Sequence, residues 1–192
     1  MNNVCPNIVE FHRYWKDAPM VRDLYSALEG TYLQQQDGTV CAAKAMVKCA
    51  CKTIVQELDD PDNPVLLWKN GPLKAASPSL SNWMNAATQL LDLVNDKTDP
   101  LNGLIGQYNQ LAIKLGTYRN NLGNIGHGKA GFDQKLTTHH RRAALLIADT
   151  IVGFLHDAYL LNQTDPEQTF EPYEKFNTHN NLIDQELSLI HI

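Results

Sequence analysis

The sequence lacks a disulfide framework, a run of apolar residues long enough for a membrane, and any stretch of alternating hydrophobicity. Its four cysteines, Cys5, Cys41, Cys49 and Cys51, are few and unevenly placed, and no C-x-x-C pair is present. That excludes a disulfide-rich scaffold and points to a reducing compartment. No window approaches the ~18 consecutive apolar residues of a membrane span. The opening MNNVCPNIVEFHRYWKD carries charges and aromatics where a secretion signal needs an apolar stretch, so a cytoplasmic protein without a membrane partner is expected. Basic residues are not in excess either: 16 Lys+Arg against 21 Asp+Glu give a net charge of −5. A nucleic-acid site must therefore be a local patch on an acidic chain. With 43% hydrophobic and 19% charged residues in 192, the chain has the composition of one globular domain, with or without a tail.

What is present is helical periodicity. Residues 18 to 35 read as a short helix opened by Pro19 and weakened by Gly30, with Met20, Val21, Leu24 and Leu28 as its stripe. From Thr39 to Leu58 the positions Val40, Ala43, Val47, Ala50, Ile54 and Leu58 step by three and four, marking a core helix. Residues 59 to 79 concentrate Pro61, Pro64, Gly71, Pro72 and Pro78 and read as a long connection. Ser79 caps a third helix carrying Leu80, Trp83, Met84, Ala87, Leu90, Leu91 and Val94. Asp99-Pro100 opens a fourth, which stops at Gly123. Residues 123 to 136 hold four glycines and read as a loop, after which Thr137 or Thr138 caps a helix apolar around most of its circumference. An all-α bundle of five to six helices follows. The organisation expected is an N-terminal helical segment over 1–35, a helical domain over 36–162, and a loosely packed polar tail over 163–192 ending in LSLIHI.

Several groups could carry chemistry. Gly123 to Lys129 fits G-x-x-x-x-G-K, but Ala130 stands where a phosphate-binding loop needs a hydroxyl for magnesium, and a helix precedes it where a strand is required. A nucleotide-binding switch on that loop remains as a minor reading. Arg119 and Asn120 lie at the end of the fourth helix and His127 in the glycine-rich loop. A phosphate-binding cation, an orienting amide and an imidazole suffice for metal-free phosphodiester cleavage; spacing alone favours the plainer reading of a helix-terminal Arg and a surface-loop His. Between residues 114 and 142 six basic residues, among them Lys129, Lys135, Arg141 and Arg142, oppose only Asp133. Such a patch suits a phosphate backbone. Lys44, Lys48 and Lys52 line one helix row, which reads as a solvent face. His140 falls on the row of Ala144, Ile147 and Ile151 and is taken as a residue supporting the site from behind. Cys49 and Cys51 sit ~200° apart on their helix, so no metal site and no cofactor are expected.

The segment TYRNNLGNIGHGKAG followed by THHRRAALLIADTIVGFL resembles the abortive-infection C-terminal (Abi-C) family of bacterial phage-defence proteins, and DGTVCAAKAMVKCACKTIVQEL looks like that family's upstream helix. The family is similar to the broader HEPN superfamily. The resemblance implies an all-α homodimer acting as a metal-independent endoribonuclease, with Arg119, Asn120 and His127 as the catalytic group and RNA, such as tRNA, as substrate. It also leaves room for a regulatory or antitoxin partner. Seven residues separate Arg119 from His127, one more than the family's usual spacing, and Lys48 stands where the family has Glu. These departures keep a non-catalytic dimerisation or RNA-binding module as the alternative.

Overall fold

The computed structural model describes residues 1–164 apart from 2, 70, 94–99 and 123–135; for 100, 101, 116, 118–122 and 164 it describes the backbone alone. Six α-helices occupy the described residues: α1 (Pro6–Tyr14), α2 (Pro19–Leu33), α3 (Gly38–Leu58), α4 (Leu80–Leu90), α5 (Pro100–Leu122) and α6 (Thr138–Thr164), with a 3-10 turn at Val65–Leu67. No strand occurs among them, as the missing period-two pattern requires.

Local chemistry sets most boundaries. Pro6, Pro19 and Pro100 each stand at the first position of a helix, where the missing N–H costs nothing. Ser79 closes a capping box with Asn82: the serine hydroxyl accepts from Asn82 N–H at 3.2 Å and the Asn82 carbonyl accepts from Ser79 N–H at 2.9 Å. At the other end of α4 the chain turns left-handed at Asp92 (φ 57°), and the N–H groups of Asp92 and Leu93 return to the carbonyls of Gln89 and Thr88. α2 ends the same way at Gln35 (φ 54°), with Gln35 and Gln36 returning to Tyr32 and Thr31. Both residues occupy the position that glycine usually fills in this motif.

α3 is the central element, packed against α2, α4 and α5. Its periodic positions Val40, Ala43, Val47, Ala50 and Ile54 are buried as expected. Met46, Cys49, Cys51 and Val55 are buried too, so the covered arc is wider than the sequence stripe. All four cysteines are free thiols. On α2, Val21 and Leu28 are buried, whereas Met20, expected in the stripe, is 63% exposed. The proline-rich connection is ordered by local bonds. Asp59 Oδ1 accepts from Val65 N–H at 2.8 Å, Trp68 Nε1–H donates to the Asn63 carbonyl at 3.0 Å, and Val65 and Leu73 plug into the core.

α1 is the element that periodicity did not reveal. It lies against α2, where His12 stacks on Tyr25 with centroids 4.1 Å apart. It is joined to α6 by Asp149 and His156. α6 also meets α5 through Tyr108 and Phe154, stacked at 4.2 Å. By length and composition Thr138–Gln163 could cross a membrane, but 56% of that window is buried inside the protein, as befits a core helix. The chain divides into two units, Met1–Ala158 and Tyr159–Ile192. Of the second, the end of α6 is described, where Gln163 Nε2–H donates to the Tyr159 hydroxyl at 3.2 Å.

Candidate functional site

Helix α5 runs to Leu122, so Arg119 and Asn120 fall in its last turn, directly ahead of the glycine-rich stretch. His127, Lys129 and Lys135 lie outside the described residues. Because a helix leads into Gly123, the strand that a phosphate-binding loop must follow is absent at that point.

The chain is held firmly where it re-enters the described fold. Leu136 is buried, and its carbonyl accepts from Arg141 Nη1 at 2.6 Å. The same guanidinium reaches Asp37 Oδ1 at 3.3 Å and Thr138 Oγ1 at 3.4 Å, and Arg141 is 7% exposed. Sequence reasoning placed Arg141 beside Arg142 on an RNA-facing patch. Its donors instead tie the start of α6 to the start of α3, because a long arginine stem can lie along the core while its head finds carbonyl and carboxylate partners. Arg142, one residue on, is exposed.

His140 also has a structural occupation. Its Nδ1 accepts from Thr137 N–H at 3.2 Å and lies 3.0 Å from the Thr137 hydroxyl, which accepts from His140 N–H at 3.3 Å. This is a capping box with histidine in the place that Glu or Gln usually takes. Accepting from Thr137 N–H requires Nδ1 to carry no proton. The lysine row of α3 is less idle than a solvent face. Lys48 Nζ donates to the Pro78 carbonyl at 3.2 Å, just ahead of the α4 cap, and Lys52 Nζ lies 5.0 Å from the centre of the Trp83 ring. Lys48 therefore pins the start of α4 to α3.

Two polar groupings escaped the sequence reading. The first is the junction of α1 with α6. Asp149 Oδ1 accepts from Ile8 N–H at 2.8 Å and Oδ2 accepts from Asn7 Nδ2 at 3.0 Å, so a carboxylate some 140 positions away caps α1. Burial pushes the Asp149 carboxyl upward while the hydrogen bonds from Ile8 and Asn7 pull it back, and burial prevails. Cys5, whose side chain makes no cap, packs its thiol 4.0 Å from the Leu145 carbonyl, and burial raises it to about 12. One turn beyond Asp149, Gly153 lets Asn7 approach. A Cβ there would stand 2.7 Å from the Asn7 amide. His156 follows, 2% exposed, with the edges of Phe11 and Tyr14 against it at 5.4 and 5.2 Å. Its Nε2 has no hydrogen-bond partner, and burial lowers its pKa below the ordinary value.

The second is a cleft of about 360 Å³ between α4 and α5. α4 contributes Asn85, Thr88 and Gln89. α5 contributes Asn102, Ile105, Gly106 and Asn109. Carboxamides dominate its lining, and none of the described residues that line it is charged. Among the described residues no group of His, Cys, Asp and Glu is placed to hold a metal ion.

An all-α bundle in which a helix ends on Arg-Asn and gives way to a glycine-rich stretch with a histidine is the class of structure on the page. A model of the Abi_C family, described as a HEPN-like domain, matches residues 18–159, about three-quarters of the chain. The chain belongs to this family. The match takes in α2 through most of α6 and leaves α1 outside. No curated protein and no solved structure matches it.

Proposed function

We propose that this Abi_C-family protein is a metal-independent endoribonuclease of abortive-infection or toxin-like defence, acting in the cytoplasm as a homodimer. The observation that carries the reading is the Arg119-Asn120 pair in the last turn of α5, followed by His127 in the glycine-rich stretch of a HEPN-like domain. The 2′-hydroxyl of the target nucleotide attacks the adjacent phosphorus, the P–O5′ bond breaks, and the products are a 2′,3′-cyclic phosphate and a 5′-hydroxyl. One proton must leave the 2′-oxygen and one must reach the departing 5′-oxygen. His127 performs one of these transfers, as general base or general acid. Arg119 stabilises the charge gathering on the phosphate, and Asn120 orients the phosphate or the arginine. Water carries the other proton, so both transfers are accounted for. Lys129, Lys135 and Arg142 would hold the RNA backbone, and Arg141 serves by fixing Leu136. Two facing copies would supply two such sets, which is why a dimer is part of the proposal.

The test is cleavage of tRNA by the purified protein in EDTA. The wild type should cut and leave cyclic-phosphate ends, and His127→Ala or Arg119→Ala should each lose roughly 10²–10⁴ in rate. Light scattering should give twice 21.5 kDa. RNA that stays intact while still being bound would favour the second reading, a non-catalytic RNA-binding module. The seven residues between Arg119 and His127 support that alternative.

A further inference from the structure

We propose that the cleft between α4 and α5 is a base-recognition pocket that takes an unpaired adenine by its N6/N7 edge. As to the source of that base, an RNA strand, the inference rests on the ribonuclease reading; the pocket's own chemistry does not.

The lining decides the class of ligand. Phosphates need cations and metals need carboxylates, imidazoles or thiolates, and among the described residues that line the cleft there are none of these. It offers carboxamides, which present a donor and an acceptor side by side and so read the edge of a neutral heterocycle. The one hydroxyl among the described lining residues is already used: Thr88 Oγ1 donates to the Met84 and Asn85 carbonyls, each at 3.1 Å. Recognition therefore falls to the amides. Asn109 Oδ1 is buried with no hydrogen-bond partner. An acceptor that no protein donor reaches is open to a ligand, and one that brings an N–H donor satisfies it. Adenine does so with N6–H while its N7 accepts from the same amide, the pairing by which Asn and Gln read this base. Presented by the same groove edge, guanine would set its O6 acceptor against the Asn109 oxygen and uracil its O4, while cytosine could give one N–H and no neighbouring acceptor, so the preference for adenine holds for a base held by that edge.

Shape agrees. Gly106 lies one turn before Asn109 on the same side of α5, and nothing stands within 4 Å of where its Cβ would be. The missing side chain leaves bare backbone on which a flat ring can rest, with Ile105 beside it. The cleft volume of about 360 Å³ falls within the ~300–1,000 Å³ of small-molecule sites. Eleven residues beyond Asn109, at ~100° per residue, the backbone of α5 returns to this face at Asn120, so the pocket and the helix end that carries the Arg-Asn pair share one row.

The experiment measures binding of short single-stranded oligoadenylate, oligouridylate and oligocytidylate to the His127→Ala protein in EDTA, with adenosine as competitor. Oligoadenylate should bind about tenfold or more tighter than the other two, the discrimination a bidentate amide supplies. Adenosine should compete saturably. Asn109→Leu and Gly106→Leu should each bring the three RNAs to equal affinity without lowering the charge-driven binding they share. Gly106→Ala, which has room for its methyl, repeats the test if the leucine variant does not fold. Equal affinities in the starting protein, or a preference for adenine that persists in both variants, overturn the pocket and leave the RNA reading standing. Adenosine that binds and is lost in Asn109→Leu, while no RNA binds, upholds the pocket for a free adenine nucleotide and overturns the RNA reading.

Discussion

The α1–α6 junction and the α4–α5 cleft are both places where polar side chains meet between helices, and they are built on opposite lines. At the junction each oxygen of Asp149 has a donor, Asn7 fits against α6 only because Gly153 has no side chain, and the carboxylate replaces the cap that Cys5 does not supply. In the cleft Asn109 keeps an acceptor without a donor, and Gly106 faces open space. His156 Nε2 at the junction is unpartnered too, but that ring is sealed against Phe11 and Tyr14, whereas the Asn109 oxygen lines a cleft that a ligand can enter. The junction is where stability should be concentrated and the cleft where substitutions should be tolerated.

The largest effect expected is from Asp149→Ala. It strands the Ile8 N–H and the Asn7 amide in a buried site and should lower unfolding stability by about 3 kcal/mol, read by urea denaturation. Gly153→Ala comes next. Its methyl displaces the Asn7 amide, and the lost bonds outweigh the ~1 kcal/mol helix gain of alanine, leaving a net loss of about 1–2 kcal/mol.

The junction should also respond to pH. His156 has a folded-state pKa below its unfolded value near ~6.5, so the unfolded chain takes up the proton first. Its contribution is complete above that pH and is lost as pH falls through it, despite the nearby Glu10 and Asp157, which favour the proton. Asp149 acts in the other direction, because its raised folded-state pKa lets the folded chain bind the proton first. That gain grows as pH falls through its folded-state value and opposes the His156 loss, which the comparison of wild type with His156→Phe isolates. Melting temperature should therefore drop between pH 7 and 5.5 in the wild type and drop less in His156→Phe, which keeps a ring against Phe11 and Tyr14. The smallest effect belongs to the cleft: Gly106→Ala should gain about 0.5–1 kcal/mol, since its methyl meets nothing.

Much of this was legible from local pattern. Pro19, Pro100 and the Ser79 cap mark helix starts with their neighbours' help alone, and the stripe from Leu101 onward marks α5 as helical as far as Leu122. What escaped depends on residues distant in sequence. α1 is nine residues long and its capping group lies on α6, so no local signal beyond Pro6 announces it. Arg141 looks like a surface cation until Asp37, 104 positions earlier, comes alongside. His140 was placed on an apolar row by periodicity, yet its ring turns back to Thr137 because an uncapped helix start needs an acceptor. The amides of the cleft sit singly along two helices and form a group only when α4 and α5 pack together.

Urea unfolding of Asn109→Leu, run beside Asp149→Ala under the same conditions, puts the contrast to its most direct test. Replacing an unpartnered buried amide by an apolar side chain of similar size should leave stability unchanged or raise it by up to about 1 kcal/mol, while Asp149→Ala loses about 3 kcal/mol. A loss above about 2 kcal/mol in Asn109→Leu would mean that the amide holds α4 and α5 together, and the cleft would then be part of the scaffold and not a place kept open for a ligand.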